Sequence, residues 1–335
     1  MAQQWCNFVL HQPTMLPDGL ECEATGQVRP EAPPGRPANL DLAGRAPWAL
    51  ANRCSHHLRL SGPGATVRIK QFLYDWSPPA WDHPALWKDT PRGRALEDPS
   101  AAILWIGTDY KGNAGASATI HRTTVEISVE KGRLTDDGFT ELAMGFQPVD
   151  AEAAARILST PFGELMYQRR HAVPTEETPL SYWGYLRAGV GEATVLTRLD
   201  TEFSSAMRSY RVPRIEGFEA DTILVFGDRS VPDETEVIYV PRERLHGVIR
   251  LLRTPSGLSS GIPYPPNRYE QQPCTTRIVS IGGHDVYHAF LTEAFGQHEA
   301  VWNLDGMTSL LLAQPARVTS SAWFEALLSD SLLPA

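Results

Sequence analysis

The stretch RIVSIGGHDVYHAFLTEAFGQHEAVWNLDGMTSLLL, residues 277–312, decides the fold prediction for the whole chain. It contains three short apolar runs with the length of β-strands, at 277–281, 300–304 and 308–312. A glycine pair at 282–283 follows the first run. Asp305-Gly306 separates the other two, and this dipeptide is a strong signal for a two-residue hairpin.

Two helices complete this C-terminal pattern. Between the first and second runs, positions 286, 290, 291 and 294 are apolar, which is the spacing of one buried helix face and predicts a helix over 284–295. Phe324, Leu327 and Leu328 predict a second helix over 319–328. We therefore expect residues 276–330 to form a compact β-α-β-β-α unit, with Phe290 in its core and His298 at its surface. Its open sheet edge should be covered by the middle of the chain or by a partner.

Similar patterns recur upstream. Near the N-terminus, strands are predicted at 57–60, 102–106 and 125–129, with helices at 69–76 and 134–146. In the middle, strands at 222–226 and 236–240 precede a predicted helix that begins at Pro241 and has apolar residues at 245, 248, 249 and 252. The sequence thus predicts an α+β fold of recurring β-β-α and β-α-β-β-α units. That order is typical of ferredoxin-like modules, duplicated here and joined by long proline-rich loops.

Proline-rich stretches suggest how the chain is divided. Residues 1–52 read as an irregular N-terminal arm, and residues 53–150 as a first β-α-β-β-α module with an insertion rich in proline and tryptophan. Residues 151–275 read as a middle α+β module ending in a linker rich in proline and glycine. Residues 276–335 form the C-terminal module.

Composition argues against a non-specific nucleic-acid binder and against a membrane-spanning protein. The 335 residues carry a net charge of −9, which opposes broad phosphate binding. No apolar run approaches the roughly 20 residues that cross a bilayer, and no secretory signal is visible, so we expect a soluble, cytoplasmic protein without membrane contact. The four cysteines lack the close spacing of a zinc site, and the sequence predicts neither a metal nor a cofactor.

Motifs for catalysis are weak. No phosphate-binding loop, nucleophile elbow or H-E-x-x-H motif occurs. His284 and His288, four residues apart, would share one face of the predicted helix and are weak candidates for acid–base or metal chemistry. The alternative is that both are polar surface residues.

Two groups of residues are candidates for binding a partner. Trp76, Trp81 and Trp87 lie in a proline-rich excursion, and Tyr264 and Tyr269 flank Pro265-Pro266; such loops form groove walls or pack over cores. The region 240–278 has a local charge of about +4 by residue count, and Arg242, Arg244, Arg250 and Arg253 would line the predicted middle helix.

Three functions are compatible with these features. The preferred hypothesis is a non-catalytic binding or assembly protein: an adaptor, an inhibitor or a subunit of a larger complex with another protein. The first alternative is an intracellular hydrolase with a histidine or metal site around His284 and His288. The second is an RNA-binding module that uses the arginine-lined helix. A concave site holding both histidines and a carboxylate would favour the enzyme.

Overall fold

The computed structural model describes residues 3, 6, 8–17, 19–22, 27–30, 54–73, 92–94, 96, 104–108, 112–165, 193–242, 247–255, 274–291, 297–315 and 321–331. They belong to two compact units. Unit 1 comprises Met1–Thr160 and Leu165–Tyr182, and unit 2 comprises Pro161–Glu164 and Trp183–Ala335. This grouping has two parts where the sequence suggests four segments. The architecture is α+β, rich in sheet and with few helices.

Unit 1 contains ten strands and two helices among its described residues. The strands are β1 (His11–Pro13), β2 (Glu21–Cys22), β3 (Gln27–Pro30), β4 (Cys54–Ser61), β5 (Ala65–Leu73), β6 (Arg92–Arg94), β7 (Leu104–Thr108), β8 (Ala114–Ile120), β9 (Thr123–Gly132) and β10 (Phe146–Pro148). The helices are α1 (Asp136–Met144) and α2 (Ala151–Ser159). The main sheet is antiparallel in the order β2-β4-β5-β9-β8-β7-β6, β3 also pairs with β4, and β1 pairs with β10.

In the part that the structure describes, unit 2 contains eight strands, two helices with defined bounds and a helical turn at 162–164. The strands are β11 (Thr194–Thr197), β12 (Phe218–Gly227), β13 (Pro232–Pro241), β14 (Gly247–Pro255), β15 (Cys274–Ile281), β16 (His284–Leu291), β17 (Gln297–Leu304) and β18 (Met307–Pro315). The helices are α3 (Phe203–Ser209) and α4 (Ser321–Ser331). All eight strands form one antiparallel sheet in the order β11-β12-β13-β14-β18-β17-β16-β15.

The two sheets share a topology. Each consists of two antiparallel meanders whose last strands pair with each other, β5 with β9 in unit 1 and β14 with β18 in unit 2. In each, the second meander has four strands and is followed by a helix, α1 or α4. The repeat therefore lies in the order of meander, meander and helix.

Several predicted elements are confirmed. The strand at 125–129 lies within β9 and alternates buried and half-buried side chains. Thr135 caps α1 by accepting a hydrogen bond from the Gly138 N–H at 3.0 Å. Asp305 and Gly306, with φ of 53° and 73°, connect β17 to β18 as the two central residues of a tight hairpin turn. The predicted C-terminal helix corresponds to α4, and Phe324 and Leu328 are fully buried in it.

Three predicted helices are wrong. The segments at 69–76, 245–252 and 284–295 overlap the strands β5, β14 and β16. The described parts of residues 276–330 therefore form four strands followed by one helix, which is not the β-α-β-β-α order, and the ferredoxin-like duplication is not confirmed. The sequence predicts that the middle of the chain covers an open sheet edge of the C-terminal module. This is confirmed at one edge, where β18 pairs with β14.

These helix predictions failed because the apolar residues of the segments match the spacing of a helix as well as that of a strand. In β14, Val248, Ile249, Leu251 and Leu252 are all buried, so both faces of the strand are covered and the apolar residues form a nearly continuous run. Such a run contains the i, i+3, i+4 spacing of a helix as well as the alternation of a strand, and periodicity alone does not separate the two.

Candidate functional site

His284 and His288 both lie on β16, in unit 2. His284 is half-buried and stands at the turn into β16, opposite Ile281. His288 is only 1% exposed. Four residues along a strand separate two Cα atoms by about 13 Å. The helical geometry that would have placed these imidazoles side by side is therefore absent, and the two residues lie in different surroundings.

The partner of His288 is His298 on β17. His288 stands opposite Ala300, so His298 is its diagonal neighbour on the same sheet face. His288 Nε2 lies 3.3 Å from His298 Nδ1, and the ring planes are inclined by 22°. The predicted surface position of His298 is wrong, because its side chain is 0% exposed. Phe290 is predicted to lie in the core, but its side chain is not among those that the structure describes, so this stays a prediction.

Helix α4 covers this histidine pair. The Phe324 ring centroid lies 5.0 Å from that of His288 and 4.8 Å from that of His298. Trp323 adds a contact with His298, at 5.8 Å between centroids. The aromatic side chains of one helix therefore bury both imidazoles against β16 and β17.

Two charged groups border the pair. Glu325 Oε1 on α4 lies 3.6 Å from His288 Nδ1, and the same carboxylate pairs with Arg277, which stands opposite His288 on β15. Burial lowers the pKa of His288 to about 4, although Glu325 acts in the raising direction. His288 is therefore neutral at pH 7.

A carboxylate that contacts the Nδ1 of a histidine is the arrangement that orients a general base. Here, however, the second imidazole nitrogen of His288 meets His298, and neither ring is exposed by more than 1%. Helix α4 thus keeps a substrate away from both bases while it is in place. The group orders the packing of α4 on the sheet and does not present a reactive nitrogen.

A second histidine pair lies in unit 1, and the sequence does not predict it. His11 Nε2 on β1 lies 3.0 Å from His121 Nδ1, with the rings stacked at 9°. Gln71 holds the His11 backbone, donating to its carbonyl and accepting from its N–H. His121 and Arg122 occupy the β8–β9 turn with φ of 47° and 60°, a conformation unusual for two residues with side chains. The two-residue gap between alternating strands at 116–120 and 123–129 was a signal for that turn.

The predicted helix lined by arginines is wrong, because its described part is a strand. Residues 250 and 253 belong to β14, where an odd separation puts side chains on opposite faces. Arg250 is fully buried and pairs with Glu236 across the sheet. Arg253 donates to the backbone carbonyls of Tyr210 and Arg211. Arg242 is exposed at the end of β13, so these arginines do not form one phosphate-binding row.

Other candidates lie outside the described residues: Trp76, Trp81, Trp87, Arg244, Tyr264 and Tyr269. Within the described part of the chain, no group of three histidine, cysteine, aspartate or glutamate residues is arranged to hold a metal. No helix among the described residues is long and apolar enough to cross a bilayer.

The ends of the sheets differ in a way that bears on binding. In unit 1, β6 is three residues long with two arginines, and the other end is made of the short strands β2 and β3. In unit 2, β11 has only four residues. Short or charged edge strands discourage pairing with another chain. β15 is the exception, with eight residues, one charge and no proline.

Strand β15 is also regular and carries an exposed apolar side chain near its centre. It pairs with β16 through eight consecutive residue pairs without a bulge, and no second neighbour of β15 occurs among the described residues. Ile278 at its centre is 69% exposed, and it is the only strongly exposed large apolar residue within a strand of the described structure. An edge of this kind is a template for an added strand.

Comparisons with known proteins add little. No protein-family model matches the chain, and neither does any curated protein. A solved structure, the di-domain ARO/CYC StfQ from the steffimycin biosynthetic pathway, aligns over 98% of this chain and 81% of its own at 11% identity. The TM-score of that alignment is 0.10, which does not indicate a shared fold.

Proposed function

We propose that the protein is a non-catalytic binding or assembly protein, and that strand β15 receives a β-strand of its protein partner. The observation that carries this proposal is the edge strand β15, which has no second neighbour among the described residues. It has eight regular residues with one charge and an exposed isoleucine near the centre. A row of backbone N–H and C=O groups along such an edge can pair with a partner strand, and main-chain hydrogen bonds supply affinity in this mode of recognition.

Side chains next to the edge support the same function. Ile278 begins a row that crosses the sheet through Tyr287, Val301 and Leu310. Exposure falls along this row, from 69% at Ile278 to half-buried at Tyr287 and 2% at Val301. A strand added beside β15 would cover Ile278 and extend the apolar row by one position, which adds burial to the main-chain pairing.

The hydrolase alternative has one favourable observation, the Glu325 carboxylate 3.6 Å from His288. Burial of both imidazoles beneath α4 opposes it, because a general base must come within hydrogen-bond reach of its substrate. The RNA-binding alternative depended on a row of arginines, and two of those arginines make protein contacts instead.

Photo-crosslinking in cells tests the proposal, because it captures whichever protein lies against the edge. The full chain is produced in its native cells with a benzophenone amino acid at position 278. A matched control carries the same group at Val231, which is 75% exposed between β12 and β13. We expect a discrete protein adduct from position 278 and not from position 231. Equal labelling from both positions, or none from position 278, contradicts the proposal.

A further inference from the structure

We infer that the partner strand on β15 is the β15 of a second copy of this chain, paired antiparallel about a two-fold axis. This inference rests on the proposed function, since it names the occupant of the same edge. The strand CTTRIVSI suits self-pairing because its single charge, Arg277, already pairs with Glu325 of its own chain. In a two-fold interface the same surface of both chains meets, so charges clustered on that surface would face like charges. The edge of β15 carries no such cluster and therefore does not repel its copy.

Geometry restricts the register of such a pair. Alternate residues of a strand direct their backbone N–H and C=O groups to the same side. In an antiparallel pair, the groups of two directly opposite residues point either both towards the other strand or both away from it. In a two-fold antiparallel pair, one residue therefore stands opposite its own copy. The registers with the longest ladder along β15 (Cys274–Ile281) are centred on Arg277 or Ile278. Centring on Arg277 opposes two like charges, which is destabilising.

The register centred on Ile278 fits the side chains. It places Ile278 opposite its copy and Arg277 opposite Val279 of the second chain. Val279 packs on the apolar core of unit 2, and the Arg277 charge stays beside its own Glu325. On the other face, two rows that each run from Ile278 through Tyr287 to Val301 would join at the axis. The result is one continuous antiparallel sheet of sixteen strands from two eight-stranded sheets.

Disulfide trapping tests this register. In a background with Cys22→Ser and Cys274→Ser, which removes an exposed thiol and the thiol of β15 itself, Ile278→Cys places two thiols directly opposite each other, with Cβ atoms about 4.5–5.5 Å apart. The matched control is Ser280→Cys, exposed on the same strand and face. In this register Ser280 stands opposite Thr276 of the copy, so the two introduced thiols are about 13 Å apart. We expect a covalent dimer from Ile278→Cys within minutes of mild oxidation, at least tenfold more than from Ser280→Cys.

Light scattering of the purified full chain gives an independent reading. We expect a mass of two chains at tens of micromolar, one chain for Ile278→Lys, and two chains for the control Val231→Lys. Circular dichroism checks that both variants fold. A monomeric wild-type protein without Ile278→Cys dimers overturns the inference. If position 278 then still gives an adduct with a different protein in cells, the proposed function stands with another occupant; if it gives none, both fail.

Discussion

The sheet surfaces beneath helices α1 and α4 occupy the same place in the shared topology and differ in chemistry. Beneath α1, the strands β7 and β8 present apolar side chains, among them Leu104, Ile106 and Ala116. Beneath α4, the corresponding strands β16 and β17 present His288 and His298 as well as Val286 and Ala300. Both helices also pair with an arginine of the edge strand, but the Glu325 carboxylate touches a buried histidine in addition.

This difference shows that one topology accepts two kinds of helix packing. The apolar surface in unit 1 holds α1 mainly by burial, which changes little with pH, and the exposed ion pairs between α1 and β6 add little. In unit 2, burial beneath α4 lowers the pKa of His288 to about 4, because a buried charge is costly, so protonation of His288 opposes the packing of α4. The packing of α4 is therefore more strongly coupled to proton binding than the packing of α1.

The largest expected effect comes from the aromatic residue that each helix buries. Phe324→Ala and Phe139→Ala each remove a side chain that is at most 1% exposed, and each should cost about 3–5 kcal/mol of unfolding free energy. Denaturant unfolding with hydrogen exchange resolved by peptide should place the loss in unit 2 for Phe324 and in unit 1 for Phe139. Ser329→Ala, at an exposed site on α4, is the control and should cost less than about 0.5 kcal/mol. A cost below about 1 kcal/mol for Phe324→Ala would mean that α4 does not anchor there.

Acid should loosen unit 2 through His288. Its folded pKa of about 4 lies below the ordinary value of 6.5, so the unfolded chain binds more protons between these values. The stability due to neutral His288 is thus present above pH 6.5 and is lost as the pH falls towards 4, by about 3 kcal/mol in total. Unfolding free energies measured from about pH 7 to about pH 4 should show a smaller acid loss in His288→Leu than in the wild type.

The matched variant for this test lies in unit 1. Burial also lowers the pKa of His56 to about 4, but this residue is on β4 and not on a strand beneath α1. His56→Leu should reduce the acid loss of unit 1 and leave the exchange of α4 amides unchanged, whereas His288→Leu should change the pH dependence of α4 exchange. If both variants changed the exchange of α4 amides equally, the pH dependence of α4 packing could not be assigned to His288.

A smaller effect concerns the charges that border His288. Glu325 raises the pKa of this imidazole and Arg277 lowers it. An NMR titration should therefore find the pKa of His288 lower in Glu325→Gln than in the wild type, and higher in Arg277→Gln. A shift in the same direction for both variants would show that packing changes, and not the removed charges, control the titration.

The smallest effects are expected at the exposed ion pairs of α1. Arg92 and Arg94 pair with Asp136 and Asp137 in solvent, and pairs of this kind contribute about 0–1 kcal/mol. Arg94→Gln should therefore change the unfolding free energy of unit 1 by less than about 1 kcal/mol. The difference between the wild type and this variant should become still smaller in high salt, because salt screens exposed charges. Thermal unfolding at two salt concentrations measures both quantities.

Local features of this fold follow from sequence alone. Asp305-Gly306 predicts its hairpin because two successive residues with positive φ favour aspartate and glycine there. Thr135 with the acidic residues after it predicts the start of α1, since a hydroxyl can accept from the third N–H of the helix. The alternation at 125–129 predicts β9 because only one face of that strand is fully buried.

Elements whose apolar residues suit both a helix and a strand were decided by tertiary structure. The segments that form β14 and β16 carry apolar residues at spacings that suit a helix or a strand, and only pairing with β13, β18 and β17 selects the strand. The candidate sites depend on the same choice. His288 meets His298 because β16 and β17 pair in a register that makes these residues diagonal neighbours. β15 lies at an edge because the order of the described strands ends there. Both are long-range pairings, and residue types along one segment do not encode which other segment lies beside it.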